Sequence, residues 1–493
     1  MAIKRYVADK DTTITNAYKA NLTTRGVSGN MGQSDILEVF HIYGQASSAS
    51  SENARILIGF PTTDIATDRS NGDIPASGSV SFYLRMFNAE HSQPTPKDFT
   101  LTASAVSTAW QEGLGLDMEN YSDIDAANWI TASDGPTVKW STQGGDYYVD
   151  NSSSFQQTFD TGFEDMEIDI TPLVEQWVNS AGNILGSKSN NGLGIFLTAS
   201  QEDAEVSYYT KMFFARQSQY YFKRPYIEAR WDSSTADDRG NFYLSSSLVP
   251  AADNLMTLYL YNIVKGQLTN IPAVGTGTIN VSIYSGSATN ATPSGSQLLL
   301  PVGGDVAATG DINITGGFSE TGIYTASFAY ASSSITTIFD VWHTGSVEYH
   351  TGSAVTVKTF DSEDYNANHT YASNITNMKS SYTQQERNAF FRVYTRKRNW
   401  SPNIYVKASE AIPNNIIENA YYQIQRVSDG FKVAAFGTGS QNQTKMSYDA
   451  SGSYFTFDMG MLEADEVYSI TLAYKINGKY TEQPETFRFR VEE

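Results

Sequence analysis

The stretch Phe159–Leu197, FDTGFEDMEIDITPLVEQWVNSAGNILGSKSNNGLGIFL, decides how the rest of the chain is read. Met166, Ile168 and Ile170 alternate with Asp165, Glu167 and Asp169, and a period of two marks a strand with one buried face. Thr171-Pro172 then reads as a helix start, because a Thr hydroxyl can cap an orphan N–H and proline lacks only a donor that had no partner. Leu173, Val174, Trp177 and Val178 share one side of a helix over Pro172–Ser180, which makes it an apolar plug. A second strand follows. Strand, plug and strand predict a lid over one end of a β-sandwich, with Trp177 in the core and the three acids outside.

Working outward, short strands dominate. Ile36, Val39 and Ala54–Phe60 (ARILIGF) read as buried strands, and Ser79–Phe87 places Val80, Phe82, Leu84 and Met86 on one face. Phe99–Val106, Tyr208–Phe214 and Pro225–Trp231 complete a first unit. Aromatics make up 13% of the 493 residues and Tyr alone contributes 31, a composition that favours sheets. Only Pro172–Ser180 and Gln384–Asn388 read as helical. The fold class expected is therefore all-β: a jelly-roll-like β-sandwich over 1–232, then two smaller immunoglobulin-like β-sandwiches over 240–361 and 364–493. The polar runs Asp232–Arg239 and Asp361–Asp364 read as linkers. In the third segment Ala389–Arg396, Asn403–Ala408, Ala420–Val427, Tyr454–Met459, Val467–Ile476 and Glu485–Glu492 read as strands, and Asn477-Gly478 as a hairpin turn. Tyr324 and Tyr468 stand where tyrosine corners would sit.

Thirty-three basic residues against fifty-three acidic ones leave a net charge of −20. That argues against double-stranded DNA as a partner, since phosphate binding needs a basic footprint. The absence of cysteine excludes disulfides and thiolate metal sites. No apolar run follows the first residues, so no secretory signal is expected, and no run is long enough for membrane insertion.

Chemistry has few candidates. His343, Glu348 and His350 stand around a turn where they could meet as metal ligands, although solvated hairpin residues are the simpler reading. Asp117, Glu119, Asp123 and Asp125 offer oxygen ligands suited to Ca2+, the one cofactor considered, but lack the glycine and closing glutamate of a calcium loop. Asp165, Glu167 and Asp169 lie on one exposed face and do not frame the cleft that glycoside cleavage needs. The chain is therefore expected not to be an enzyme, with no catalytic residues. One basic island, Arg387, Arg392, Arg396, Lys397 and Arg398 with Trp400, suits docking to an acidic neighbour.

Residues 6–231 resemble the secreted DNRLRE-type sandwich module. The match rests on Ala8-Asp9, Asn30-x-Gly32 with Leu37-x-Val39, Arg55–Phe60, Trp110-x-Glu112, Asp169–Val174 with Trp177, Asn190–Leu193 and Pro225–Trp231. The whole chain also resembles virion structural proteins of tailed phages infecting marine cyanobacteria. That likeness lies in ITNAYKANLTTRG (Ile14–Gly26), SDILEVFHIYGQ (Ser34–Gln45), TAWQEGLGLDMENYSD (Thr108–Asp123) and YTRKRNWSPNIY (Tyr394–Tyr405). It implies a particle component without naming its place, and the expectation adopted is attachment at the neck, tail or baseplate, or decoration of the particle. Such a protein is made in the host cytoplasm, works in several copies, a homo-oligomer among the options, and docks to other virion proteins. The alternative is an adhesion module for a host surface glycan, motivated by Tyr147, Tyr148, Tyr220 and Tyr221.

Overall fold

The computed structural model describes residues 2–133, 138–359, 370–398, 400, 404 and 414–493. It is all-β, as expected, and falls into two compact units, Ala2–Asp232 with 439–443 and Ser233–Glu493 without them.

In the first unit a four-stranded sheet runs in the order Ile3–Val7, Tyr226–Arg230, Ser81–Met86, Met166–Asp169. A seven-stranded sheet runs Tyr208–Phe214, Ile36–Tyr43, Ser51–Gly59, Leu193–Leu197, Phe99–Ala105, Ser154–Phe159, with Lys10–Thr15 also paired to Ser51–Gly59. One core joins them: Phe82, Leu84, Met86 and Ile168 from the smaller sheet meet Val39, Ile56, Ile58, Leu101 and Ile195 from the larger. The alternation rule set this out correctly, since Met166 and Ile168 are buried while Glu167 and Asp169 are exposed.

The plug helix forms over Thr171–Val178, with Leu173, Val174 and Trp177 in the same core. Its start differs from the expected cap. Ile170 holds the cap position, and the Thr171 hydroxyl instead accepts from the Phe82 N–H at 2.8 Å, tying the helix to a strand. The helix ends at Asn179, whose φ of 46° is left-handed, a conformation asparagine tolerates.

Among the described residues, two α-helices longer than a single residue are additional to those read from the sequence. Thr62–Asn71 buries only Ile65, so it has no apolar stripe to reveal it. Ala199–Glu202 is a single turn closed by a Thr198/Gln201 capping box. Gln384–Asn388, expected as a helix, forms turns instead. Within it the Glu386 carboxylate accepts from Thr383 N at 3.2 Å and from Lys379 Nζ at 2.7 Å, local bonds that compete with a helical ladder.

Among the described residues the second unit holds three principal sheets. A seven-stranded sheet passes through Met256–Tyr261, Ile323–Phe328, Ile314–Glu320, Thr278–Ser285, Thr337–Thr344 and Val347–Thr351, with Val355–Thr356 added beside Thr337–Thr344. Beyond it lie a four-stranded sheet (Tyr371–Ile375, Ala389–Lys397, Gly452–Phe457, Ser447–Asp449) and a five-stranded one (Ser381–Thr383, Lys479–Glu492, Val467–Ile476, Ala420–Arg426, Lys432–Ala434). The final hairpin turns at Asn477-Gly478, both at positive φ (52° and 79°), as an Asn-Gly turn requires. The predicted strand Asn403–Ala408, apart from Ile404, lies outside the described residues, as do Asp361–Asp364 and His369.

Of the stretch expected as a linker, Asp232–Arg239, all but Asp232 is built into the second unit. Ala236 bridges to Tyr448, Asp237 and Asp238 are buried, and Arg239 makes a two-pronged ion pair with buried Asp340 at 2.6 and 2.8 Å. A polar composition conceals such a role, because the partners lie about a hundred or more residues away in sequence.

Tyr468 forms a local tyrosine corner, its hydroxyl accepting from Glu463 N at 2.8 Å and donating to Glu463 O at 3.1 Å. Tyr324 does something else. Its hydroxyl accepts from Ile271 N at 3.0 Å and donates to Gly275 O at 2.8 Å, which clasps a segment some fifty residues upstream.

Candidate functional site

Three surfaces carry distinctive chemistry. The first is an irregular excursion between Ser107 and Ile130, far longer than an ordinary connection, and long ordered loops are commonly functional. Its base is fixed. Trp110 is buried, its Nε1 donates to Asn191 O at 2.7 Å, and the Lys10 ammonium sits 4.1 Å from its ring. Glu112 grips Arg216 with two bonds, at 2.6 and 2.5 Å. Fully buried Asn30 stitches the middle: its Nδ2 donates to Glu112 O and Ala127 O at 2.7 Å, and its Oδ1 accepts from Gly32 N and Gly115 N at 3.1 Å. Gly115 is required there, since a Cβ would lie 2.0 Å from Asn30 O.

Above that base the excursion exposes Leu114, Leu116, Tyr121 and Ile124 to 75, 49, 65 and 59% of their surface. Its carboxylates hold the backbone. Asp117 accepts from the N–H groups of Glu119, Asn120 and Tyr121, which hold its pKa below the usual carboxylate range, and Asp123 accepts from Leu114 N. Glu119 pairs with Lys19 at 3.5 Å. Three of the four acids considered for Ca2+, Asp117, Glu119 and Asp123, thus hold backbone or a lysine in place. Among the described residues no three His, Cys, Asp or Glu side chains gather as a metal group.

The second surface is an open cleft of about 540 Å3 on the outer face of the seven-stranded sheet. Its floor alternates outward from the strands: Thr102 stands opposite both Phe196 and Gln156, and Ser104 opposite Gly194 and Ser154. Tyr147 lies over Gly194, where a Cβ would come 2.0 Å from its ring, and sits 4.6 Å from the Phe196 ring. Arg55 lies 5.1 Å from Phe196, but its charge is matched by Glu202 through two bonds of 2.9 and 2.5 Å. The result is an aromatic floor edged by hydroxyls, with its strongest charge neutralised. Of the four tyrosines considered for glycans, only Tyr147 lines this cleft. Tyr220 and Tyr221 are exposed elsewhere, and Tyr148 packs on the core.

The third surface is the basic island. Arg392 is engaged by Asp449 at 2.7 and 2.9 Å, Arg398 by Glu485, and Arg387 by Asp458 at 3.4 Å. Arg396 donates to the carbonyls of Lys397 and Trp400, at 3.3 and 3.4 Å, and lies 5.8 Å from the Trp400 ring. Arg387 and Arg398 keep 67 and 47% of their side chains exposed. The island is therefore largely matched by acids of its own unit, which a linear reading does not reveal.

His343 and His350 do not meet. His343 stands opposite Glu348 and its Nε2 bonds the Ser282 hydroxyl at 2.8 Å, whereas His350 stands opposite Trp342. The exposed apolar residues of the excursion were missed because they follow neither strand nor helix period. The usable signal was their crowding in GLGLDMENYSDID.

No protein-family model matches the sequence, and neither does any curated protein. Solved structures give distant likenesses. A marsupial T cell receptor shares 8% identity over 51% of this chain and 71% of its own, at a TM-score of 0.15. A DUF4785 family protein from Legionella pneumophila shares 8% over 93% and 90%, at 0.15, and the BSP domain of a biofilm associated protein 8% over 99% and 90%, at 0.17. At these TM-scores the likenesses carry no argument about this chain.

Proposed function

We propose that this chain is a non-enzymatic structural protein of a tailed-phage particle, attached at the neck, tail or baseplate and acting through protein–protein docking. The observation that carries the reading is the rigid excursion with exposed Leu114, Leu116, Tyr121 and Ile124. Apolar side chains held out on a braced loop favour a protein partner, because they lose water contact on docking while their ordering cost is already met by the fold. Support also comes from position. Three of the four virion-like phrases, Ile14–Gly26, Ser34–Gln45 and Thr108–Asp123, meet here: Ala20 N donates to Glu119 at 3.3 Å, and Ala17, Phe40, Ile42 and Met118 share one small apolar cluster. The basic island, through exposed Arg387 and Arg398, supplies a second docking surface in the same reading.

The experiment is incorporation into particles. Wild-type chain should appear in purified virions by mass spectrometry, and Leu114→Asp with Tyr121→Asp should lower its occupancy about tenfold or more while circular dichroism stays unchanged. Absence of the wild-type chain from virions would refute the particle role. Equal incorporation of the double variant would remove the excursion as the docking surface.

The cleft favours a second reading, a host-glycan adhesion module. Sugar faces stack on aromatic rings and sugar hydroxyls pair with protein hydroxyls, and Tyr147, Phe196, Thr102 and Ser104 supply these together. A glycan array with no retention by the wild-type chain would eliminate it.

A further inference from the structure

Among the described residues, three charged side chains line the aromatic cleft of the first unit: Arg55, Glu202 and Asp146. Each is committed to the fold. The Arg55 guanidinium donates from Nε and Nη2 to the two Glu202 oxygens at 2.9 and 2.5 Å, and from Nη1 to Gly144 O at 3.0 Å. Asp146 Oδ1 accepts from Thr142 N at 2.9 Å, and its Oδ2 accepts from Ser141 N at 2.9 Å and from the Thr108 hydroxyl at 3.1 Å. Against burial, these donors hold the Asp146 carboxyl below the usual carboxylate range, so it is ionised at neutral pH.

One cation against two carboxylates leaves this lining with an excess of one negative charge, and one of the two carboxylates already holds the cation from two sides. An anionic sugar would bring its own charge beside both carboxylates and lose water there without gaining a counter-charge, which is unfavourable. Neutral groups meet no such penalty. Thr102 Oγ1 accepts from Gln156 Nε2 at 3.3 Å, which leaves its proton for a ligand oxygen, and the Tyr147 and Phe196 rings add apolar surface beside it. A sugar hydroxyl entering here exchanges one neutral hydrogen bond for another. At about 540 Å3 the cleft falls within the ~300–1,000 Å3 typical of small-ligand sites.

We propose, resting on the adhesion reading of the same cleft, that it selects uncharged glycans: it takes neutral hexose chains and rejects their uronic, sulfated or phosphorylated counterparts. Glu202 and Asp146 are the residues that determine this specificity, by repelling the wrong ligand.

A glycan array probed with the full chain, carrying neutral hexose chains beside the matching acidic ones, tests it. Glucan and glucuronan, mannan and mannuronan, and galactan and galacturonan differ only at C6, a hydroxymethyl group against a carboxylate. Retention of neutral members is expected, with the uronic counterpart of each retained chain weaker by about tenfold or more in calorimetric titration. Glu202→Gln keeps an amide oxygen for Arg55 but removes one negative charge, so it should narrow that ratio to about threefold or less. Asp146→Asn carries the same test should Glu202→Gln fail to fold. General damage to the cleft would weaken both sugars alike and leave the ratio where it was. Acidic chains held as strongly as neutral ones overturn the selectivity and leave the adhesion reading standing, whereas no retention of any glycan removes both. A ratio unchanged in a folded variant overturns the assignment of selectivity to these carboxylates.

Discussion

In the first unit, distant parts of the chain are fastened by Arg–carboxylate pairs: Arg69 to Glu175, Arg55 to Glu202, Arg216 to Glu112 and Arg5 to Glu228, all separated by more than a hundred residues. In the second unit, tyrosine hydroxyls take most of that role. Tyr324 clasps Ile271 and Gly275, Tyr474 bonds Ser373 and Thr395 at 2.7 and 3.0 Å, and Tyr448 donates to Asp238 at 2.7 Å. The one strongly buried pair described there is Arg239 with Asp340. Both units are β-sheet sandwiches, yet they should fail differently. Removing one partner of a buried charge pair strands the other charge, whereas removing the Tyr324 or Tyr474 hydroxyl leaves only neutral groups unpaired.

The largest effects are expected on the plug helix. Trp177→Ala empties a core position, and large-to-small logic puts the cost at about 3–5 kcal/mol. Glu175→Ala, two residues earlier, strands Arg69, whose side chain is only 7% exposed, at a similar cost of about 3–5 kcal/mol. Amide hydrogen exchange should report both losses in the strands of the first unit. Unchanged protection at Met166–Asp169 and Leu193–Leu197 would show that the helix does not seal this sandwich.

That helix was legible because its apolar face and the Thr-Pro start are local signals. The strands around it were legible for the same reason, and Val80, Phe82, Leu84 and Met86 are all buried as alternation demands. What sequence could not supply were partners chosen by the fold. Asp237 and Asp238 look like a solvated linker until strand Ser447–Asp449 comes alongside, and Arg392 looks available until Asp449 does. The same holds for the candidate sites. Trp110 and Glu112 were visible as motif residues, but the role of Asn30 in bracing the excursion depends on carbonyls 82 and 97 residues away.

Acid should separate the units further. Asp11 is fully buried, one of its oxygens has no partner, and the other accepts from Arg216 N at 2.7 Å. Burial pushes its pKa up to about 7. A carboxyl raised in the folded state binds its proton more tightly there than in the unfolded chain. Its contribution is thus fully present below about pH 4 and lost as pH rises through 7. Three pH units correspond to about 4 kcal/mol at most. Asp11→Asn should flatten the pH dependence of the first unit between pH 4 and 7 and leave it more stable at pH 8. Asp237, pushed up to about 6 mainly by burial, sets a narrower window in the second unit. If Asp11→Asn leaves the slope of the first unit unchanged, Asp11 is not the titrating group.

The smallest effects should come from the tyrosine fastenings. Tyr324→Phe keeps the buried ring and deletes the hydroxyl, leaving Ile271 N–H and Gly275 C=O without their partner, at about 1–2 kcal/mol. Tyr468→Phe removes a comparable pair of bonds, both to Glu463. The two variants should differ in reach, because the Glu463 bonds close a five-residue corner while the Tyr324 bonds hold a segment some fifty residues away. Hydrogen exchange should therefore rise around Ile271–Gly275 in Tyr324→Phe and stay confined to Glu463–Tyr468 in the other. A cost for Tyr324→Phe as large as that for Glu175→Ala would mean that the hydroxyl clasp is as indispensable as a buried ion pair, and the contrast between the two units would collapse.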